Sequence, residues 1–139
     1  MKQTNKTDVL IVGGGHAGIE AANIVSKLGK KATLVTMDLS AIGRMSCNPA
    51  IGGIAKGQMV REIDMLGGLM GRVTDASGLQ YKLLNKSKGR SVWSPRAQVD
   101  KRVYEKTISN HIQKQKNISL LEGEVVSVNI KNNCVESVL

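Results

Sequence analysis

Phenylalanine is absent from this 139-residue sequence, and one Trp and two Tyr are its only aromatic residues. The core is therefore expected to be aliphatic, built from Ile, Leu, Val, Met and Ala. Cysteine is almost as scarce. Cys47 and Cys134 are too few for a disulfide framework, so each is read as a free thiol. No apolar run approaches the ~20 residues that cross a bilayer, and the opening MKQTNKTD lacks the apolar stretch of a signal peptide. No membrane is expected, and a cytoplasmic location is. In that compartment the N-x-S/T matches at Asn5, Asn85 and Asn117 carry no glycosylation meaning. Internal repeats, linkers and low-complexity segments are also missing, so residues 1–139 are expected to be one domain or part of one.

Hydrophobic residues make up 41% of the chain, which supports a globular fold over a disordered one. The formal charge is +9 and unevenly spread: residues 82–106 hold eight basic and two acidic side chains. A polyanionic partner and a solvated lysine face both fit that pattern.

The stretch DVLIVGGGHAG, residues 8–18, organises the rest. An apolar-weighted run over 8–12 breaks off at Gly13, Gly14 and Gly15, and an Ala-rich, helix-favouring segment follows. That is a strand, a turn and a helix. Gly13, Gly15 and Gly18 fall on the G-x-G-x-x-G spacing: the first permits the tight turn, the second lets a pyrophosphate approach the backbone, and the third lets helix and strand pack closely. Amides at the helix start, His16 and Ala17 among them, would face the phosphates with the helix dipole behind them. A purely structural glycine turn is the alternative, and the flanking strand and helix weigh against it.

Downstream, Ala17, Ala21, Ala22, Ile24, Val25 and Leu28 suggest a helical stripe ended by Gly29. Residues 32–36 read as a second buried strand, giving a βαβ unit with a right-handed crossover. Asp38 is a plausible ribose ligand beyond that strand, and simple solvent exposure fits it equally. In residues 42–57 the P-loop spacing is absent. Asn48 followed by Pro49 carries an N-cap and first-turn signature, with Gly52 and Gly53 implying a short or interrupted helix. Cys47 would then lie just before a helix start, where donors and dipole favour the thiolate; it is a candidate nucleophile, with a buried inert cysteine as the alternative.

Residues 54–69 suit a helix stopped by Gly67-Gly68 or Gly71, its methionines read as core filling. Residues 74–85 fit a short strand or a helix, and 86–90 form a basic loop. Trp93 could stack a base there or anchor the loop. Residues 96–115 read as a helix with Ala97, Tyr104, Ile108 and Ile112 on one face and His111 exposed. Strand-like runs follow at 118–121, 125–130 and 134–139, the last two joined by a hairpin signal at Lys131-Asn132-Asn133. The expected class is α/β: a Rossmann-like dinucleotide-binding domain with a central parallel sheet and a C-terminal β-meander, incomplete at its C-terminus.

The blocks GGGHAG at 13–18, SCNPAIGGIAKG at 46–57, EIDMLGGLMG at 62–71, SKG at 87–89 and RAQ at 96–98 together closely resemble the N-terminal part of the GidA (MnmG) family. These are FAD subunits of the enzyme that installs the carboxymethylaminomethyl group on the tRNA wobble uridine. The resemblance spans nearly the whole chain, and SCNPAIGG is its most specific block. It implies FAD across residues 13–18 with the adenine flanked by the strand at Val125. It further implies methylenetetrahydrofolate as carbon donor, glycine or ammonium as nitrogen source, NADH as reductant, an MnmE-type GTPase partner and a homodimer.

The family cysteine corresponds to Cys47, whose thiolate suits addition to an activated pyrimidine or methylene intermediate, and these residues leave attack on carbon and movement of a proton both open. Lys86, Lys88, Arg90, Arg96 and Arg102 could contact tRNA phosphates. Residues 90–95 depart from the PAVRA-like segment common in the family. Another flavoprotein of the two-dinucleotide class lacks a match to SCNPAIGG, and a disulfide reductase would want a C-x-x-C pair, which is absent. A non-catalytic nucleotide- or RNA-binding module is the non-enzyme alternative. Family members are several times longer, so the resemblance implies an N-terminal fragment that does not complete the reaction alone. Modified uridine formed by the isolated chain in a turnover assay would contradict this.

Overall fold

A computed structural model describes residues 6–46 and 48–139. Strand β1 (Val9–Val12) lies parallel to β2 (Ala32–Thr36), with Val9 opposite Ala32 and Val12 opposite Val35. Helix α1 (His16–Lys27) connects them and stops at Leu28, where Gly29 takes a left-handed φ of 72°. β2 in turn lies parallel to β6 (Ile118–Glu122), so the parallel sheet runs β1-β2-β6. Its middle strand is buried from Ala32 to Val35, as a strand paired on both edges and covered by helices requires.

Between β2 and β6 the chain builds a second, antiparallel sheet ordered β3-β5-β4, from Ala50–Gly52, Ser94–Val99 and Gly78–Leu84 respectively. Helices α2 (Lys56–Met65) and α3 (Met70–Ser77) lead from β3 to β4, and α4 (Lys101–Gln113) leads from β5 back to β6. A hairpin of β7 (Val128–Lys131) and β8 (Cys134–Val138) completes the described elements, turning through left-handed Asn132 and Asn133 as its sequence predicts. The aliphatic expectation holds: one buried cluster joins Ile19 of α1, Leu34 of β2, Met70 of α3 and Ile108 and Ile112 of α4, with Tyr104 as its only aromatic among the described residues. No helix among the described residues is long and apolar enough to cross a membrane.

Three element boundaries, and the buried face of α1, depart from their sequence expectation. Asn48-Pro49 starts no helix; the chain enters β3 instead, and α2 begins only at Lys56. Gly52 and Gly53 at φ of 98° and 101° are incompatible with helix, and Ala50 to Gly52 find acceptors and donors on β5 at Gln98 to Arg96. The apolar run over 54–69 is broken at Gly67 (φ 85°), yielding α2 and α3 in place of one helix. Residues 96–99 are strand, and the helix begins after Asp100, whose carboxylate accepts from the Arg102 and Val103 amides at 2.9 and 3.0 Å. Ala97 is buried as expected, but from a strand; its spacing to Tyr104 mimics a helical period. In α1 the buried face is Ile19, Ala22 and Asn23, whereas Ile24 and Leu28 are exposed.

The N-cap at Asp100 aims α4 from the antiparallel sheet back to the parallel one. Asp100→Ala should lower the unfolding free energy by about 1 kcal/mol, read as a shifted urea midpoint with unchanged slope.

Candidate functional site

Gly13 follows β1 with φ of 106°, a value open to glycine and costly for other residues. Its N–H donates to the Val35 carbonyl at 2.7 Å, holding the turn at the end of the parallel sheet. The Gly14 carbonyl accepts from the Gly43 amide at 3.1 Å, which ties the loop after β2 over the turn. A Cβ at Gly18 would overlap the Gly13 carbonyl oxygen, so only glycine lets the first turn of α1 sit directly on the strand end.

Gly15 differs from both. It is the N-cap of α1 at φ −75° and ψ −178°, makes no side-chain cap, and a Cβ there would meet nothing within 4 Å. The first α1 hydrogen bond is Ile19 N–H to the Gly15 carbonyl at 3.0 Å. The amides of His16, Ala17 and Gly18 therefore have no helical acceptor. Uncapped donors, a helix dipole and free space at Gly15 coincide at one point, which suits an anion approaching the backbone.

An open cleft of about 400 Å³ lies beside this turn, lined by His16, Arg44, Met45, Ser46, Asn48, Ala50, Gly52, Lys56 and Arg96. Arg44 is held by Asp38 at 3.2 Å. His16 tilts against the Tyr104 ring, centroids 5.7 Å apart, and its Nε2 and the Tyr104 hydroxyl are both buried without a hydrogen-bond partner among the described residues. Burial, reinforced by the nearby Lys56 ammonium, holds the His16 imidazole below its ordinary pKa, with Glu20 pulling weakly the other way. The same burial raises the Tyr104 phenol, and the Glu20 charge adds to that shift.

Of the sequence-predicted residues, Gly13, Gly14, Gly15, His16, Ala17 and Gly18 all lie at the β1–α1 junction. Cys47 lies outside the described residues; its neighbours Ser46 and Asn48 both line the cleft. Val125 is half-buried and precedes β7, which begins three residues later than expected because the residues before it are not in register with β8; Val126 and Ser127 donate irregularly to the Leu139 carbonyl.

Asp38 is neither idle nor free. It caps a short 3-10 turn, accepting from the Ser40 amide at 2.8 Å and hydroxyl at 2.6 Å, and these bonds, more than Arg44, lower its pKa. Trp93 anchors its own loop: the indole N–H donates to the Lys86 carbonyl at 3.3 Å, and Arg90 lies over the ring at 5.7 Å. Arg102 sits apart from Arg96, beside a separate hollow with Glu105 and Ser40.

Sequence reasoning missed two features. Glu20 accepts from the Leu69 and Met70 amides at 2.9 and 2.6 Å, so α1 caps the N-terminus of α3. Arg44 and Lys56 join His16 in one cleft. No local spacing signals either feature, because each pairs residues from different elements.

A glycine turn between parallel strands, beneath an uncapped helix start, defines an α/β protein of the Rossmann type. Comparison with known proteins narrows this to one family: the family model for glucose inhibited division protein A matches residues 8–139, and the chain belongs to that family. It is 50% identical over 130 residues to the tRNA uridine 5-carboxymethylaminomethyl modification enzyme MnmG of Endomicrobium trichonymphae, covering 94% of this chain and 22% of that protein. It is 54% identical over 125 residues to the same-named protein of Karelsulcia muelleri, covering 90% and 20%.

Among solved structures, Aquifex aeolicus GidA in its form II crystal matches with a TM-score of 0.90 at 50% identity, over 96% of this chain and 22% of that one. The GidA-related protein from Thermus thermophilus shares the fold, with a TM-score of 0.61 at 17% identity over 96% of this chain and 46% of that one. The chain thus spans about one fifth of the length of the curated relatives it matches.

Because folding lowers the His16 pKa, the unfolded chain binds the proton more readily once pH falls to about the ordinary 6.5. The stability tied to neutral His16 is complete above that value and is lost as pH falls below it. His111, also lowered chiefly by burial, acts in the same direction. Urea midpoints measured from pH 8 to pH 5 should fall, and His16→Gln should flatten the fall.

Proposed function

We propose that the chain is the N-terminal part of the FAD-binding domain of a tRNA-modifying flavoenzyme. On this reading the whole protein, with an MnmE-type GTPase, adds the carboxymethylaminomethyl group to C5 of the wobble uridine, using methylenetetrahydrofolate and NADH. A homodimer and a cytoplasmic setting belong to the same reading. The observation that carries it is the uncapped start of α1 with open space at Gly15, directly after β1. The relatives' names support the reaction assigned to the whole protein.

The chain's own residues would then act as follows. The amides of the Gly13 to Gly18 turn bind the diphosphate, using donors that the helix leaves free. Val125 flanks the adenine. Bound there, the flavin supplies a two-electron source and sink that side chains lack. His16, held toward its neutral form by burial and the Lys56 ammonium, adds an imidazole rather than a further cation to a wall that already carries Arg44, Lys56 and Arg96. Cys47 supplies the catalytic thiol; the resemblance at SCNPAIGG supports that role.

Titration of the chain with FAD, followed by flavin absorbance and fluorescence, tests the reading. Gly15→Val should fold normally, since its φ suits any residue and its surroundings are open, yet bind FAD at least about tenfold more weakly because the branched side chain occupies the phosphate approach. Gly18→Ala should instead lose about 1–3 kcal/mol of stability through the clash with the Gly13 carbonyl. Equal FAD binding by the unaltered chain and Gly15→Val would defeat the reading.

A further inference from the structure

Lys82 of β4 and Arg96 of β5 stand directly opposite each other in the antiparallel ladder. Side chains so placed share one face, and like charges there repel. Both are exposed, and among the described residues neither is within ion-pair distance of a carboxylate. On the other side Arg96 faces Gly52 of β3, which has no side chain to cover it.

One row further along the ladder, Gln80 stands opposite Gln98, both exposed, adding two amides to the same face. Beyond the end of β4 the turn carries Lys86, Lys88 and Arg90, all exposed. The β4–β5 hairpin, residues 78–99, thus holds five cations and no carboxylate. At its inner end Arg96 shares the cleft with Lys56 and His16, next to the glycine turn.

Exposed cations set against each other without a carboxylate repel weakly through water and salt, and a bound polyanion would relieve that repulsion. The arrangement suits a polyanion: an arginine fork and an ammonium side by side for phosphate oxygens, amides beside them, and further lysines continuing the track. We propose that this face of the β4–β5 hairpin is a phosphodiester-binding surface along which the RNA backbone lies, with Arg96 and Lys82 directing one nucleotide toward the cleft beside α1. This rests on the reading that the whole protein modifies tRNA. An acidic protein is the rival occupant. It is disfavoured because the apolar side chains Leu79 and Tyr81, which a protein interface would use, alternate with Gln80 and Lys82 along β4 and so leave the cationic face polar.

The discriminating variant is Lys82→Glu, which places a carboxylate opposite Arg96 and so relieves the repulsion while removing a phosphate contact. Binding of a fluorescein-labelled anticodon stem-loop RNA to the 139-residue chain is followed by anisotropy between about 50 and 200 mM salt. Lys82→Glu should weaken RNA binding about tenfold and make the salt dependence shallower by roughly 0.7–0.9 per lost phosphate contact. Its thermal midpoint should be unchanged or higher, which excludes misfolding as the cause. Arg96→Gln should weaken binding in the same sense.

Flavin uptake by Lys82→Glu should match that of the unaltered chain. If the unaltered chain takes up no flavin yet binds RNA in a Lys82-sensitive way, the surface stands and the dinucleotide reading falls. RNA affinity untouched by Lys82→Glu, parallel loss of flavin and RNA binding, or equally tight binding of polyglutamate would each overturn the surface.

Discussion

The close seating of α1 on the end of β1 is the constraint from which the rest follows. With no side chain at Gly18, the helix rests on the Gly13 carbonyl, and its first amides point past Gly15 into open space. That seating also positions Ile19 and Ala22 over the parallel sheet, where they meet Leu34 and the inner face of α4. A residue with a Cβ at position 18 would push the helix off the strand end, displacing its first amides and loosening the core together. Binding geometry and core packing are therefore one property of this junction.

The segment between β2 and β6 converts that junction into a walled site. Had the chain returned directly from β2 to β6, the glycine turn would face solvent. Instead it detours through an antiparallel sheet whose strands β3 and β5, with helix α2, bring Gly52, Arg96 and Lys56 beside His16. The Glu20 carboxylate of α1 holds the detour to the parallel half at the start of α3, and Asp100 turns the chain back toward it at the start of α4. Each satisfies amides that a helix start would otherwise leave unpaired. The wall is strongly cationic, and among the described residues only its Arg44 is paired with a carboxylate, that of Asp38.

Much of the first βαβ unit is legible from residues alone. Val9–Val12, the glycine turn and Ala32–Thr36 stand within a residue of where hydrophobic runs and glycines put them, because short-range sterics govern a tight turn and a buried strand. Legibility ends where local patterns compete. Pro49 after Asn48 is a sound helix start by local rules, yet the backbone at Gly52 and Gly53 turns left-handed and β5 offers a ladder, so a strand forms. Ala97 falls in helical phase with Tyr104 by coincidence across Asp100, the residue at which strand gives way to helix. Trp93, read as a base-stacking platform or a loop anchor, proves to be an anchor to its own turn.

By itself the sequence determined the glycine turn, the strands on either side of α1, the aliphatic core and the family, since each is written in contiguous residues whose chemistry acts locally. Tertiary structure alone decided that Lys82 opposes Arg96, that Lys56 and Arg44 meet His16, and that Glu20 caps a helix about fifty residues away. The reason is physical: strand register and helix docking are set by burial summed over whole faces, and no short run of residues carries that sum.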